Sequence, residues 1–221
     1  MLRQFVLLDV DNTLYPRACG VVDRVELLIN RYLVDRLGIP EAEVDGVRHE
    51  LWRDFGTTLH GLMWRGPVDR DDYLAYVHAI ELDRFIAPDP ALGAMLAGLP
   101  LMKVAVTNGS RAHGRAVLAH LGITDLFFDV YGLEQLAYVP KPYVQAYQTV
   151  LRSLHARGDE CVLVEDSSAN LRAARTLGMA TVHVADGHPP DPSADAVIAS
   201  IHALPAALAR LDAPPARVDG R

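Results

Sequence analysis

The sequence predicts an α/β fold: a doubly wound, Rossmann-like parallel sheet core with an inserted run of α-helices. Three observations predict it. Five short apolar runs lack the polar alternation of a half-exposed sheet, as parallel strands covered on both faces do. Helical patterns alternate with those runs. Residues 16–86, directly after the first run, hold no convincing strand, and three segments of them read as helices.

The first strand is Phe5 to Val10, "FVLLDV". Three segments then show apolar spacing near the helical period: "VVDRVELLINRYLVDRLGI" (21–39), "EAEVDGVRHELWRDFG" (41–56) and "DRDDYLAYVHAIEL" (69–82). Between the last two, "GTTLHGL" (56–62) reads as a loop rich in small, flexible residues. "DPALGAMLAGL" (89–99) is a helix leading into the second strand, Leu101 to Val106. "SRAHGRAVLAHLGI" (110–123) comes next, with Ser110 as N-cap and Gly122 as the stop. "KPYVQAYQTVLRSLHARG" (141–158) precedes the third strand, Cys161 to Glu165, and its Pro142 suits a first helical turn. "SSANLRAARTLGM" (167–179) comes after it, and Ala180 to Val184 and Ala196 to Ala199 complete the strands. The chain is therefore expected to divide into a core of residues 1–15 and 87–212, an insertion of 16–86 and a flexible tail of 213–221. The insertion reads either as a lid over the carboxyl edge of the sheet or as helices packed on the sheet. Ligands bind at that edge in parallel sheets, which favours the lid.

With 221 residues, half of them apolar, the chain can bury a substantial core. A formal charge of -7 argues against affinity for a nucleic acid polymer or an anionic membrane. A phosphorylated small metabolite could still bind at a local cationic site. Cys19 and Cys161 are far apart and form no CxxC, so no disulfide framework or zinc site is expected. The strand begins almost at once after Met1, with no signal peptide before it, and no run approaches the ~20 apolar residues that span a membrane. A cytoplasmic protein, monomeric or weakly dimeric, is the expectation.

The residues just past each strand carry the chemistry. The first strand delivers Asp9, Asp11 and Thr13, the second "TNGS" (Thr107, Asn108, Gly109, Ser110), and the third "EDSS" (Glu165, Asp166, Ser167, Ser168). In a parallel sheet these ends open onto one rim. Like-charged carboxylates held close need a cation or a shared proton. Carboxylates from two strands and a backbone carbonyl suit Mg²⁺, which would also draw a phosphate into the site. "TNGS" offers a hydroxyl, backbone N–H groups and a helix N-terminus to phosphoryl oxygens, and Gly109 permits close approach. Lys141, between two prolines, supplies a fixed positive charge. No Gly-x-Ser-x-Gly elbow or neighbouring cysteine offers a nucleophile, so Asp9 is expected to attack phosphorus. Asp11 is expected to move the proton, with its pKa raised by neighbouring acids.

"DVDNT", "TNG", the isolated Lys141 and "EDSSAN" resemble, in order and spacing, the four motifs of the haloacid dehalogenase-like hydrolase superfamily, and the insertion resembles its small helical cap (subfamily I). The resemblance implies Asp9 as nucleophile, Asp11 as general acid/base, Thr107 and Asn108 as phosphoryl binders and Lys141 as charge neutraliser. It implies Asp9, the Asp11 carbonyl and Asp166 as magnesium ligands, with Glu165 in support. "DNTLYP", "FGTTLHGLMWRG" (55–66) and "YGLEQLAYVPKP" are similar to the pyrimidine 5'-nucleotidase branch, whose members hydrolyse UMP and CMP. A nucleoside 5'-monophosphate phosphatase is therefore the expected activity. A phosphoglycolate or sugar-phosphate phosphatase is the alternative within the superfamily, and a catalytically silent phosphate-binding module is the alternative outside enzymes.

Several residues keep two readings. His60 stands where some relatives of that branch have arginine, and is either a substrate contact or a solvated loop residue. Trp64 and Arg65 would grip a base or ribose, or Trp64 would pack the cap on the core. His113, His120, His155 and His202 are expected on helix surfaces, Ser167 and Ser168 at a helix N-cap, and Tyr15 and Pro16 in the hinge to the insertion.

Overall fold

The computed structural model describes residues 3–212, so the expected tail of 213–221 lies outside the described residues. Six strands form one parallel sheet in the order β3-β2-β1-β4-β5-β6. They are β1 (Phe5–Leu8), β2 (Met102–Val106), β3 (Phe127–Tyr131), β4 (Cys161–Glu165), β5 (Ala180–Val184) and β6 (Ala196–Ile198). The order reverses between β1 and β4, which makes the rim beside β1 the crevice of the sheet. Five strands match the apolar runs of the sequence. β3 is an addition: an edge strand paired only with β2, with Phe128 63% exposed and Asp129 in its centre. An edge strand has no need of a continuous apolar run, so its sequence does not announce it.

Helices α1 (Val21–Asp35), α2 (Val44–Phe55), α3 (Thr58–Arg65) and α4 (Arg70–Val77) lie in the insertion. The "GTTLHGL" stretch is not a loop. It is α3, started by Thr57, whose hydroxyl accepts the His60 amide at 3.2 Å. Gly61, which reads as a breaker, is there for contact: a Cβ would meet Leu51 Cδ2 of α2 at 2.6 Å. Around the sheet run α5 (Pro90–Ala97), α6 (Arg111–Leu121), α7 (Val144–Leu154), α8 (Ser168–Arg175) and α9 (Leu204–Asp212). Ser110 caps α6 by accepting the His113 amide at 3.0 Å, and Gly122 ends it in the left-handed region. α7 starts at Val144, so Pro142 stands before the helix rather than in its first turn, after a cis Lys141–Pro142 bond.

Apolar residues bury in three clusters. One covers each face of the sheet, centred on Leu8, Val164 and Leu118 and on Leu7, Leu163 and Tyr147. The third belongs to the insertion and includes Leu33, Leu51, Leu59 and Tyr73; Leu133, from the segment after β3, closes it.

Candidate active site

Asp9 continues the register of β1, its amide bonded to Val164 O at 3.0 Å, so its carboxylate leaves the sheet at the crevice. Lys141, 1% exposed, reaches it from the loop before α7. Its ammonium donates to Asp9 Oδ1 at 2.6 Å, Glu165 Oε2 at 2.7 Å and Val106 O at 2.8 Å, which uses all three of its protons. The Lys141 backbone is fixed separately. Its N–H donates to Asn108 Oδ1 at 2.8 Å, and Asn108 Nδ2 donates back to Lys141 O at 2.9 Å. The ends of β2 and β4 are thus tied to one residue. Burial would strip the charge from Lys141, but the Asp9 and Glu165 carboxylates outweigh it and raise its pKa above the ordinary lysine range.

Asp9, Glu165 and Asp166 present oxygens that all lie within 4.8 Å of one another. Burial, with the charge of Glu165, pushes Asp9 up to about 7; burial likewise pushes Glu165 up to about 7. Asp166 is raised too, by burial and by Asp9. Three crowded acids beside one ammonium are short of positive charge, and an all-oxygen donor set of this kind fits a hard divalent cation. Glu165 has both oxygens engaged, Oε2 with Lys141 and Oε1 with the Ser167 amide at 3.2 Å, which suits support rather than direct ligation. In the same loop as Asp9, Asn12 Oδ1 and Thr13 Oγ1 are buried without a hydrogen-bond partner. Such orphaned groups cost ~1–3 kcal/mol each and mark a place where a ligand atom would be welcome.

Asp11 departs from expectation. Its Oδ1 accepts from Tyr15 OH at 2.5 Å and from His113 Nε2 at 2.7 Å, and its Oδ2 from Thr107 Oγ1 at 3.2 Å. Burial favours the neutral acid, but the His113 charge and the hydrogen bonds of His113 and Tyr15 overcome it and hold Asp11 well below the usual carboxylate range. The expected rise is therefore reversed, because donors rather than acids surround this carboxyl. Another expectation falls with it: His113 is buried, not on a helix surface. Tyr15, expected in the hinge, is a direct partner of Asp11. For the His113 imidazolium, burial is unfavourable, but the Asp11 carboxylate prevails and raises its pKa.

Sequence reasoning also missed His78 and His183. His78 stacks on His113, with ring centroids 4.5 Å apart, and burial with the His113 charge pushes it down to about 4. His183 Nδ1 accepts the Asp191 amide at 3.0 Å, so its proton sits on Nε2 and points to the Asp166 carbonyl at 3.0 Å. That bond steadies the turn carrying Asp166. A lone histidine in a helix or strand carries no spacing signal, and only the apolar context of His183 in β5 hinted at burial.

The Thr107–Gly109 segment, expected to bind a phosphoryl group, lies at the end of β2. Gly109 N donates to Thr107 Oγ1 at 2.8 Å, and the α6 N-terminus begins just beyond. Ser167 stands at the N-cap position of α8 without a side-chain capping bond. The residues predicted in the insertion do not converge on the site as a group. His60 lies in α3, half-buried, with Nδ1 at 3.0 Å from Phe55 O and its ring edge-on to Tyr143, two residues from Lys141. It is in a helix, not a loop. Trp64 is 73% exposed against Phe55 and packs nothing on the core, and Arg65 pairs with Glu50 at 2.7 Å.

Among the described residues, no helix is long and apolar enough to cross a membrane.

Known proteins resemble this chain. It is 24% identical over 197 residues to phosphate metabolism protein 8 of Saccharomyces cerevisiae, covering 81% of this chain and 61% of that protein's length. It is 29% identical over 217 residues to the phosphoglycolate phosphatase of Rhodospirillum rubrum, covering 90% of this chain and 84% of that one. A magnesium-bound HAD-hydrolase of Bacillus subtilis has the same fold, with TM-score 0.62 at 19% identity, over 92% of this chain and 97% of that chain. The model of the haloacid dehalogenase-like hydrolases matches residues 4–178, from β1 past Asp166 and α8, and the chain therefore belongs to that family.

Proposed function

We propose that the protein is a magnesium-dependent phosphomonoesterase that works through an aspartyl-phosphate on Asp9. The observation that carries this reading is the buried group of Asp9, Lys141, Glu165 and Asp166 beside the Thr107–Gly109 segment. An Asp9 oxygen attacks phosphorus, the bond from phosphorus to the ester oxygen breaks, and Asp11, which is ionised in the free protein and takes up a proton as the negative phosphoryl group enters, passes it to the departing alkoxide. Water then attacks the phosphorus, Asp11 takes its proton, and the acyl-phosphate bond breaks to give phosphate and free Asp9. Lys141 opposes the rise of the Asp9 pKa and offsets phosphoryl charge. Thr107 and Asn108 hold phosphoryl oxygens, and the Gly109 N–H keeps the Thr107 hydroxyl in place; Asn108 has one N–H to spare after its bonds to Lys141. Magnesium bound by Asp9, Asp166 and the Asp11 carbonyl would supply charge stabilisation at the phosphoryl oxygens.

The substrate we propose is a small phosphorylated metabolite, a pyrimidine nucleoside 5'-monophosphate. The likeness of "FGTTLHGLMWRG" to the nucleotidase branch supports it, as does the seat of His60 against Tyr143 at the approach to Lys141. A second reading, 2-phosphoglycolate, is favoured by the Rhodospirillum relative. Phosphate release from UMP, CMP, AMP, 2-phosphoglycolate and sugar phosphates, with Mg²⁺ and with EDTA, tests both. A preference for UMP or CMP supports the first, and a preference for 2-phosphoglycolate replaces it. Turnover that survives EDTA overturns the mechanism. Metal binding without any turnover would assign a silent binding module instead.

A further inference from the structure

We infer that Tyr15 and His113 are positioning residues that fix the carboxylate of Asp11, and that His78 makes this fixing depend on the helical insertion being seated. The inference rests on the phosphatase reading above and adds to it a control on the proton-moving acid.

The two aspartates of "DVD" have separate partners. Lys141 binds Asp9 and Glu165, and among the described residues no ion pair joins it to Asp11. Asp11 is instead held at three points, by Tyr15, His113 and Thr107, and two of these meet at a single oxygen. A carboxylate without these partners would turn among its rotamers and be lost to proton transfer. The Tyr15 and His113 bonds, at 2.5 and 2.7 Å, oppose that turn.

The His113 ring is held on both sides. Nε2 faces Asp11, while the ring plane lies on His78 at 25°. His78 comes directly after α4, and its Nδ1 is bonded to Leu74 O in that helix at 2.9 Å. His113 belongs to α6 on the sheet, so the stack crosses from insertion to sheet. Beside it lies a cavity of about 390 Å³ lined by Leu74, Ala75, His78, Ser110, His113 and Ala116, into which the ring could turn if α4 withdrew. Asp11 would then lose one of the two donors on Oδ1.

The test uses the leaving group. Tyr15→Phe keeps the ring in its apolar cluster and removes only the hydroxyl. His113→Leu removes the donor, His113→Gln returns an N–H near Nε2, and His78→Ala removes the stacking partner. On the alkyl ester that the wild type hydrolyses, UMP or 2-phosphoglycolate, kcat is expected to fall about tenfold to a hundredfold in Tyr15→Phe, His113→Leu and His78→Ala, with KM unchanged. With p-nitrophenyl phosphate, whose leaving group departs unprotonated, first-turnover nitrophenolate release is expected to keep the wild-type rate while steady-state turnover slows. His113→Gln is expected to recover most of the loss. Equal loss of the nitrophenolate burst, a loss carried by KM, or a Gln variant no better than Leu would overturn the inference. Active wild type with unaffected variants removes the positioning role alone. A wild type that releases phosphate from no ester removes the phosphatase reading and this inference together. Circular dichroism establishes that each variant is folded.

Discussion

At the scale of single residues, the site is a problem of buried charge. Lys141 is the sole positive side chain in contact with Asp9 and Glu165 among the described residues. Lys141→Met would leave two acids buried without it and is expected to destabilise the protein by about 3–5 kcal/mol in urea titrations. Asp9→Asn is expected to cut phosphate release at least about a thousandfold while leaving the fold intact by circular dichroism. Asp9 and Glu165 are raised from 3.8 and 4.5 to about 7 each, so folding favours their protonated forms. Their contribution to stability is complete below the ordinary values and is lost as pH rises through about 7. Melting in EDTA should therefore drop between pH 5 and pH 8. Added Mg²⁺ should restore most at pH 8 and least at pH 5, where protons compete for the same oxygens. Asp9, Thr107, Lys141, Glu165 and Asp166 were legible because each stands at a strand end or in a proline-framed loop. Tyr15, His78 and His113 were not, since His113 meets Asp11 across 102 positions and no local pattern links them.

At the scale of elements, backbone contact decides what patterns alone do not. Gly132, just past β3, packs on the start of α6, where a Cβ would lie 2.2 Å from Arg111 N and 2.6 Å from Ser110 C. Gly132→Ala is expected to cost about 1–3 kcal/mol and to raise KM, because the backbone it displaces is the one just after the phosphoryl-binding segment. Denaturation and steady-state kinetics on one preparation check both halves. The same logic explains the two elements that sequence patterns misplace. β3 needs only one apolar face at an edge, so "FFDVY" lacks the buried-strand signature. α3 carries Gly61 and starts after Thr57 with Thr58, residues that argue for a loop, but α2 packs so close that glycine is the residue that fits. The core helices α5 to α8 were legible from helical spacing between the strand runs, with caps at Asp89 and Ser110 marking the starts of α5 and α6. α9 was not foreseen.

At the scale of the whole molecule, the insertion keeps its own apolar cluster and meets the sheet through few residues. Leu133 is one of them. It is buried in the cluster of the insertion, and its amide donates to Gly109 O at 2.9 Å, so it joins the Thr107–Gly109 segment to the helices of the insertion. Leu133→Ala is expected to cost about 2–5 kcal/mol, measured by urea unfolding followed at tyrosine and tryptophan. The parallel sheet and its rim could be reached from the alternation of runs, but the sheet order, with β3 at its edge, could not. How the insertion rests on the sheet could not, because that contact is made by scattered single residues from segments with no shared period.

The stacked pair of His78 and His113 has a spectroscopic consequence. Two imidazoles face to face at 4.5 Å shield each other's carbon-bound protons through their ring currents. Parting the rings would move those resonances downfield together. An unlabelled protein in heavy water thus carries its own gauge of closure, readable in the aromatic region of a one-dimensional proton spectrum as substrate is titrated in.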